Sequence, residues 1–279
     1  MLYLVSAVVC SALIALILRL AEQKVGSTIL MFLTNYIVCA LLSLCYLGGQ
    51  SLLPSGSGAG FALLLGLAGG AMFLGNFGML QLNIRKNGVV LASVFMKLGV
   101  LVPIAMAVLA FHEVPTVPQV LGFLLAVAAI LVINLDPTQK QAAGNRALLI
   151  ALLLLGGFTD SFMNIYDKVG DPAWKDHFLL YIFLCASVIC LVITLYQKKK
   201  PCAQDLLFGL ILGVPNYYSS RCLLLSLRSV PAVVAYPVYN VATIVVVSRA
   251  GMLLFRETLN RRKSVGIGLI LLALVLLNL

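Results

Sequence analysis

Three ionisable side chains stand inside stretches that are otherwise almost wholly free of charge: Lys97 in ASVFMKLGVLV, Asp160 in LLGGFTDSFMN and Arg221 in NYYSSRCLLL. A charge placed in hydrocarbon costs a few kcal/mol on insertion scales, so such a group faces a partner or a wet cavity. At helical spacing Lys97 shares a face with Val90, Ser93, Leu101 and Ile104, which leaves Ser93 and Lys97 as its polar members. An ammonium there either recognises an anionic group of a substrate or pairs with Asp160. Snorkelling is disfavoured, because about ten residues separate it from either end of its run.

Asp160 and Asn164 fall on one face with Gly156. They read as a coupling or ion-pair site: the carboxylate takes a proton or a substrate amine, or it pairs with Lys97 or Arg221. In GVPNYYSSRC, Gly213, Tyr217, Ser220 and Arg221 make one stripe, and Pro215 frees a backbone carbonyl. A guanidinium holds a carboxylate or phosphate through two parallel hydrogen bonds; the other reading of Arg221 is an anchor at the membrane interface. In AYPVYNVAT, Tyr236, Asn240 and Thr243 share a face. Asn76 and Gln81, with Thr34, Asn35 and Tyr36, add amides and hydroxyls that serve either a substrate or contacts between helices. The expected substrate-binding set is therefore Lys97, Ser93, Arg221, Tyr217, Tyr236, Asn240, Asn76 and Asn35. Two cations against the single deep carboxylate of Asp160 leave a positive surplus, which favours an anionic or zwitterionic small molecule over a lipophilic cation.

Other chemistries find little support. The two histidines, His112 and His177, lie far apart near the ends of apolar runs, and the seven cysteines form no CxxC pair. No metal, cofactor or enzymatic centre is expected, and without a P-loop any pumping draws on a proton gradient or a counter-substrate. A lipid-handling or structural membrane protein is the alternative reading, with an integral-membrane enzyme behind it. The net charge of +10 does not point to nucleic acid, because the basic residues cluster between apolar runs, where they orient a chain against the cytoplasmic face.

The elements that must position these residues are membrane helices. The chain has 279 residues, is 62% hydrophobic and 10% charged, and has a mean hydropathy of +1.09. A span needs about 20 apolar residues, and about ten such runs fit. Their expected limits are Leu2–Ala21, Thr28–Leu47, Phe61–Leu82, Gly88–Phe111, Gln119–Leu135, Ala147–Lys168, His177–Tyr196, Asp205–Leu227, Pro231–Leu254 and Ser264–Leu279. Met1 to Leu20 lacks the basic start of a signal peptide and reads as a retained helix.

The runs repeat. Gly88–Gly122 lies on Ala232–Gly266, with Val89 on Val233, Leu109 on Leu253, Phe111 on Phe255, Glu113 on Glu257 and Gly122 on Gly266. With one residue of gap, Gly66 meets Gly209 and Gly70 meets Gly213. The chain is thus expected to be all-α and integral to a membrane, with two five-helix repeats over 1–138 and 139–279. Five is odd, so the second repeat enters from the opposite side and the repeats are inverted. The charges agree: in the first half Arg19 and Lys24 mark the junction of runs one and two, and Arg85 and Lys86 that of runs three and four, whereas in the second half the excess moves to Lys198–Lys200 after run seven and Arg256 and Arg261–Lys263 after run nine. Glu113 and Glu257 are expected to cap the helix starts that follow them, and Arg249 and Arg256 to be interfacial anchors.

Two stretches, LAFHEVPTVPQVLG and LLFRETLNRRKSVG, with ten runs in two halves, resemble the EamA branch of the drug/metabolite transporter superfamily. The resemblance implies a pseudo-twofold fold, a central cavity, alternating access, and substrates ranging from amino acids to sugar phosphates and nucleotide sugars, while the positive surplus of the pocket favours amino acids, organic acids or phosphorylated metabolites among them. It also implies cytoplasmic termini with a basic tail, whereas the charges here place both termini outside and the sequence ends in Asn278-Leu279. The expected setting is a multi-pass protein of the plasma (inner) membrane, monomeric or homodimeric, whose partners are a small substrate, lipid, and a proton or counter-substrate.

Overall fold

The structure, a computed structural model, describes the backbone of all residues except 22–23, 54–55, 88–91, 93–94, 97, 135–144, 199–201, 256–260 and 278–279. Ser93, Lys97, Glu257 and Arg256 therefore lie outside the described residues, as does the side chain of Gln81.

The described residues form ten α-helices, one 3₁₀ turn and no strand. They are α1 Leu2–Ala21, α2 Thr28–Leu47, α3 Ala59–Asn87, α4 Leu101–Leu109, α5 Val117–Asn134, α6 Arg146–Val169, α7 Lys175–Gln197, α8 Ala203–Leu227, α9 Ala232–Phe255 and α10 Arg261–Leu277, with the 3₁₀ turn at Pro172–Trp174. Among the described residues, five helical stretches are long and apolar enough to cross a membrane: Leu2–Ala21, Thr28–Leu47, Ala59–Leu80, Arg146–Val169 and Pro172–Gln197. Val117–Val132 and Ala232–Val247 are shorter apolar helices. The flanks that these helices leave uncovered are apolar, as at Leu41, Leu64, Val188, Leu195 and Leu210, which is what a lipid-facing surface requires.

Local chemistry sets the helix ends. Gly48, at φ 59°, takes the left-handed cap position after α2, where a side chain would be strained. Thr116 and Gln119 exchange side-chain and backbone hydrogen bonds in a capping box, which starts α5 two residues earlier than the sequence suggests. Asn145 accepts from the Ala147 and Leu148 amides and opens α6.

Two expected boundaries are corrected. Helix α3 runs to Asn87 and not to Leu82. Its polar end continues the helix, because Asn83 Nδ2 donates to the Met79 and Leu148 carbonyls and Asn87 Nδ2 donates to Asn83 Oδ1. The fourth run is not one unbroken helix: a turn at Gly99–Val100 precedes α4. Pro103 has no N–H to give the Gly99 carbonyl, which instead accepts from Val102.

The chain divides into two compact units, each drawing on both halves of the sequence. One comprises Gly75–Asn164 and Ser226–Leu279 together with Met1; there α5 packs along α10, and Ala126, Ala129, Ile130, Val241, Ile244 and Ala273 form a small core. The other comprises Leu2–Leu74 and Ile165–Leu225, in which α2 packs along α7. In this second unit two glycine pairs, each four residues apart, allow backbones to touch. A Cβ on Gly66 would lie 2.7 Å from Tyr181 Cβ, and one on Gly70 would lie 2.5 Å from the Ile182 carbonyl oxygen, so α3 presses on α7. A Cβ on Gly209 would lie 2.5 Å from the Met31 carbonyl oxygen, and one on Gly213 2.5 Å from Val38 Cβ, so α8 presses on α2 in the same manner.

Candidate functional site

In the first unit the polar residues gather along α6. Gly157 presses on the turn in the fourth run, since a Cβ there would lie 2.4 Å from the Gly99 carbonyl oxygen. Asn76 of α3 lies against Gly156, its amide oxygen 3.4 Å and nitrogen 3.5 Å from where a Cβ would be. Asp160 and Asn164 follow at successive helical turns on that side of α6. Asn164 is fully buried, and neither atom of its amide has a partner. The amide oxygen of Asn76 is likewise buried without a partner. No hydrogen bond or ion pair joins the Asp160 carboxylate to any described residue.

Helix α9 closes this region. Tyr236 is fully buried, and its hydroxyl donates to the Asp160 backbone carbonyl at 2.7 Å. Asn240 Nδ2 donates to the Tyr236 carbonyl, and the Thr243 hydroxyl to that of Tyr239. These donors thus tie backbone together in the structure, as polar side chains in apolar helices commonly do. Glu113 caps a helix, though not the one that follows it: its Oε2 accepts the Val233 amide at the first turn of α9. The start of α5 already has its own capping box, which leaves that carboxylate available to another helix.

In the second unit Arg221 sits in an aromatic setting. Its guanidinium lies 3.8 Å from the centre of the Tyr46 ring, and Nη1 donates to the Tyr217 hydroxyl at 3.0 Å and to the Asp176 carboxylate. Tyr46, Tyr217 and Tyr218 pack on one another, with the Tyr46 and Tyr218 hydroxyls 3.2 Å apart. The expected alternative that Arg221 pairs with Asp160 is not realised. Asp176, at the N-terminal end of α7, meets the C-terminal third of α8 and takes the charge there. Asn35, fully buried, accepts from Asn216 Nδ2 at 3.1 Å, while Cys39 donates to the Gly213 carbonyl. An apolar groove of about 470 Å³, lined by Leu101, Val102, Met106, Leu153 and Phe158 among others, offers a polar molecule no hydrogen bond.

The expected site residues thus fall into two sets. Asn76, Asp160, Asn164, Tyr236 and Asn240 belong to the first unit, and Asn35, Tyr217 and Arg221 to the second. Asn216, Asp176 and Tyr46 were not singled out from sequence. Asn216 was legible in part: it continues the ridge of Gly209 and Gly213, which faces α2. Asp176 and Tyr46 meet Arg221 from 45 and 175 positions away, and spacing carries no sign of that. Among the described residues no group of three or more His, Cys, Asp or Glu could hold a metal.

An all-helical chain with several membrane-length apolar helices, apolar flanks and polar groups turned inward is a multi-pass integral membrane protein. Residues 147–279 match the EamA-like transporter family, a branch of the drug/metabolite transporter superfamily, in agreement with the resemblance read from the sequence. An uncharacterized protein of Haemophilus influenzae is 22% identical over 278 residues, covering 95% of this chain and 93% of that protein. A protein of known crystal structure shares the fold at a TM-score of 0.75 and 13% identity, covering 99% of this chain and 94% of the other.

Proposed function

We propose that this chain is a secondary-active carrier of a small anionic or zwitterionic metabolite, an amino acid, organic acid or phosphorylated compound, working by alternating access. The observation that carries the reading is the polar face of α6, where Asp160 lies near the middle of a membrane-length helix and the buried, unpartnered amide of Asn164 follows one turn later. A protein that served lipid or structure alone would gain nothing from so costly a group. In this reading residues 1–138 and 139–279 are inverted five-helix repeats. The glycine crossings support it: exchanging each helix for the one five places along turns the α3–α7 contact into the α8–α2 contact and leaves α2–α7 and α5–α10 paired. Lys97, just before the turn at Gly99–Val100, is the residue proposed to bind the anionic group, with Ser93 beside it. Asn76 and Asn240 are proposed to contribute amides to the same substrate, and lipid of the plasma membrane surrounds the protein.

The experiment is flux into proteoliposomes across amino acids, organic acids and sugar phosphates. Lys97→Gln should weaken an anionic substrate by about 1 to 3 kcal/mol, roughly 5- to 150-fold, and leave a neutral analogue nearly unaffected. Equal loss for both assigns Lys97 to the fold, and flux no greater than that of empty vesicles for the whole panel removes the carrier reading.

A further inference from the structure

We infer that Asn76, Asp160 and Asn164 form a binding site for a small monovalent alkali cation, which on the carrier reading above is its coupling ion.

The argument begins with what these groups lack. Buried polar atoms in proteins are almost always hydrogen-bonded, and each one left bare costs about 1 to 3 kcal/mol. Here Asn76 Oδ1 and both amide atoms of Asn164 are buried and bare, and all are drawn from one side of α6 and the helix against it. A helical side chain leans back toward the N-terminus, over the residue four positions before it. Asp160 therefore leans over Gly156, the position against which the Asn76 amide packs, and Asn164 leans over Asp160. The missing side chain at Gly156 keeps that space open. Asn76 and Asp160 thus bring an amide oxygen and a carboxylate to the level of Gly156, and the Asn164 amide stands one turn, about 6 Å, further along, where a water in the ion's shell bridges to it.

The chemistry of that set selects the ligand. Hard cations take carboxylate, amide and water oxygens, whereas transition metals prefer imidazole and thiolate, which do not cluster anywhere among the described residues. One carboxylate balances one positive charge, so a divalent ion would remain half neutralised in an apolar setting. A proton on Asp160 would supply a single donor and leave the other amide atoms bare. An alkali ion accepts several oxygens at once, and a water in its shell can receive the Asn164 Nδ2 hydrogen. The Tyr236 hydroxyl, fixed on the Asp160 carbonyl, holds α9 against this turn and gives the site a rigid wall.

The test uses the purified full chain in detergent, with melting temperature as the readout, because a ligand that binds only the folded state raises it. Sodium, potassium, methylammonium and choline chlorides are compared at equal ionic strength. The expected result is a rise of about 3 °C or more with sodium or potassium over choline. The apparent affinity should fall at least tenfold in Asp160→Asn and in Asn164→Ala. Gly156→Ala is the variant least prone to misfold, since its Cβ meets Asn76 at ordinary contact distance; it should keep its melting temperature in choline and lose the sodium response. Identical melting in all four salts overturns the site, as does a sodium response that survives all three variants. A response to methylammonium alone also overturns it, in favour of a substrate ammonium. A sodium response that emerges only in Lys97→Gln means that the protein's own ammonium fills the place, and equally rejects the proposal. Binding without flux sinks the carrier reading alone, and flux without a salt response sinks this inference alone.

Discussion

Arg221 shows how a residue's surroundings decide its role. Its charge is met by Asp176, its planar face by Tyr46 and one of its donors by Tyr217, with the side chains of Arg221 and Asp176 only 14% and 22% exposed. Lysine keeps the charge but loses both the flat face and the fixed fork of donors. Arg221→Lys is therefore expected to lower stability by about 1 to 2 kcal/mol, read as a fall in melting temperature. Asp176→Asn should cost more in the native protein than in an Arg221→Met background, because only the former leaves a guanidinium without its counter-charge. Equal costs in the two backgrounds would show the ion pair to be energetically silent. At Glu113, removal of the cap in Glu113→Ala is expected to cost about 1 kcal/mol through the start of α9, and Glu113→Gln, which keeps an acceptor oxygen, about half of that or less.

At the scale of the element, the glycine crossings make the sharper forecast. Gly213→Ala drives a Cβ to 2.5 Å from Val38 Cβ and 2.9 Å from the Asn35 carbonyl, so α8 must move off α2; a loss of about 1 to 3 kcal/mol is expected. Gly78→Ala meets nothing within 4 Å on α3 and should leave the melting temperature unchanged or raise it slightly. If the two variants melt alike, the crossing is looser than these distances imply. The same elements show what periodicity reveals. The ends of α1 and α2 were legible to the residue because charge or paired glycines follow an apolar run directly. The end of α3 was not: Asn83, Arg85, Lys86 and Asn87 look like a stop, yet the asparagines bond back one turn and prolong the helix. The interruption at Gly99–Val100 was equally hidden, since Pro103 inside an apolar run reads as a tolerated kink until the hydrogen bonds are seen. At the candidate site, Asp160, Asn164 and Asn76 could be named from sequence as polar residues in apolar runs. That Asn76 meets Gly156 is a contact between helices and has no sequence signature.

For the whole molecule, the bias of lysine and arginine toward alternate loops predicts that a reporter fused after Leu279 faces away from the cytoplasm; a cytoplasmic signal there would show that the charges do not set the topology. One feature of the second unit also gives the molecule a built-in optical gauge. Trp174 donates its indole N–H to the Ser57 carbonyl at 3.0 Å, while His177 contacts the Ser51 carbonyl and the Tyr181 hydroxyl donates to that of Leu52, so the segment between α2 and α3 is strapped to the start of α7. The indole also fills the space beside Gly56, where a Cβ would lie 2.8 Å from its ring. Because the chain contains a single tryptophan, its tryptophan emission comes from this strap and from nowhere else. Release of the strap would expose the ring to water, shift the emission to longer wavelength and open it to iodide quenching, so that native protein without any attached dye reports the state of this one junction.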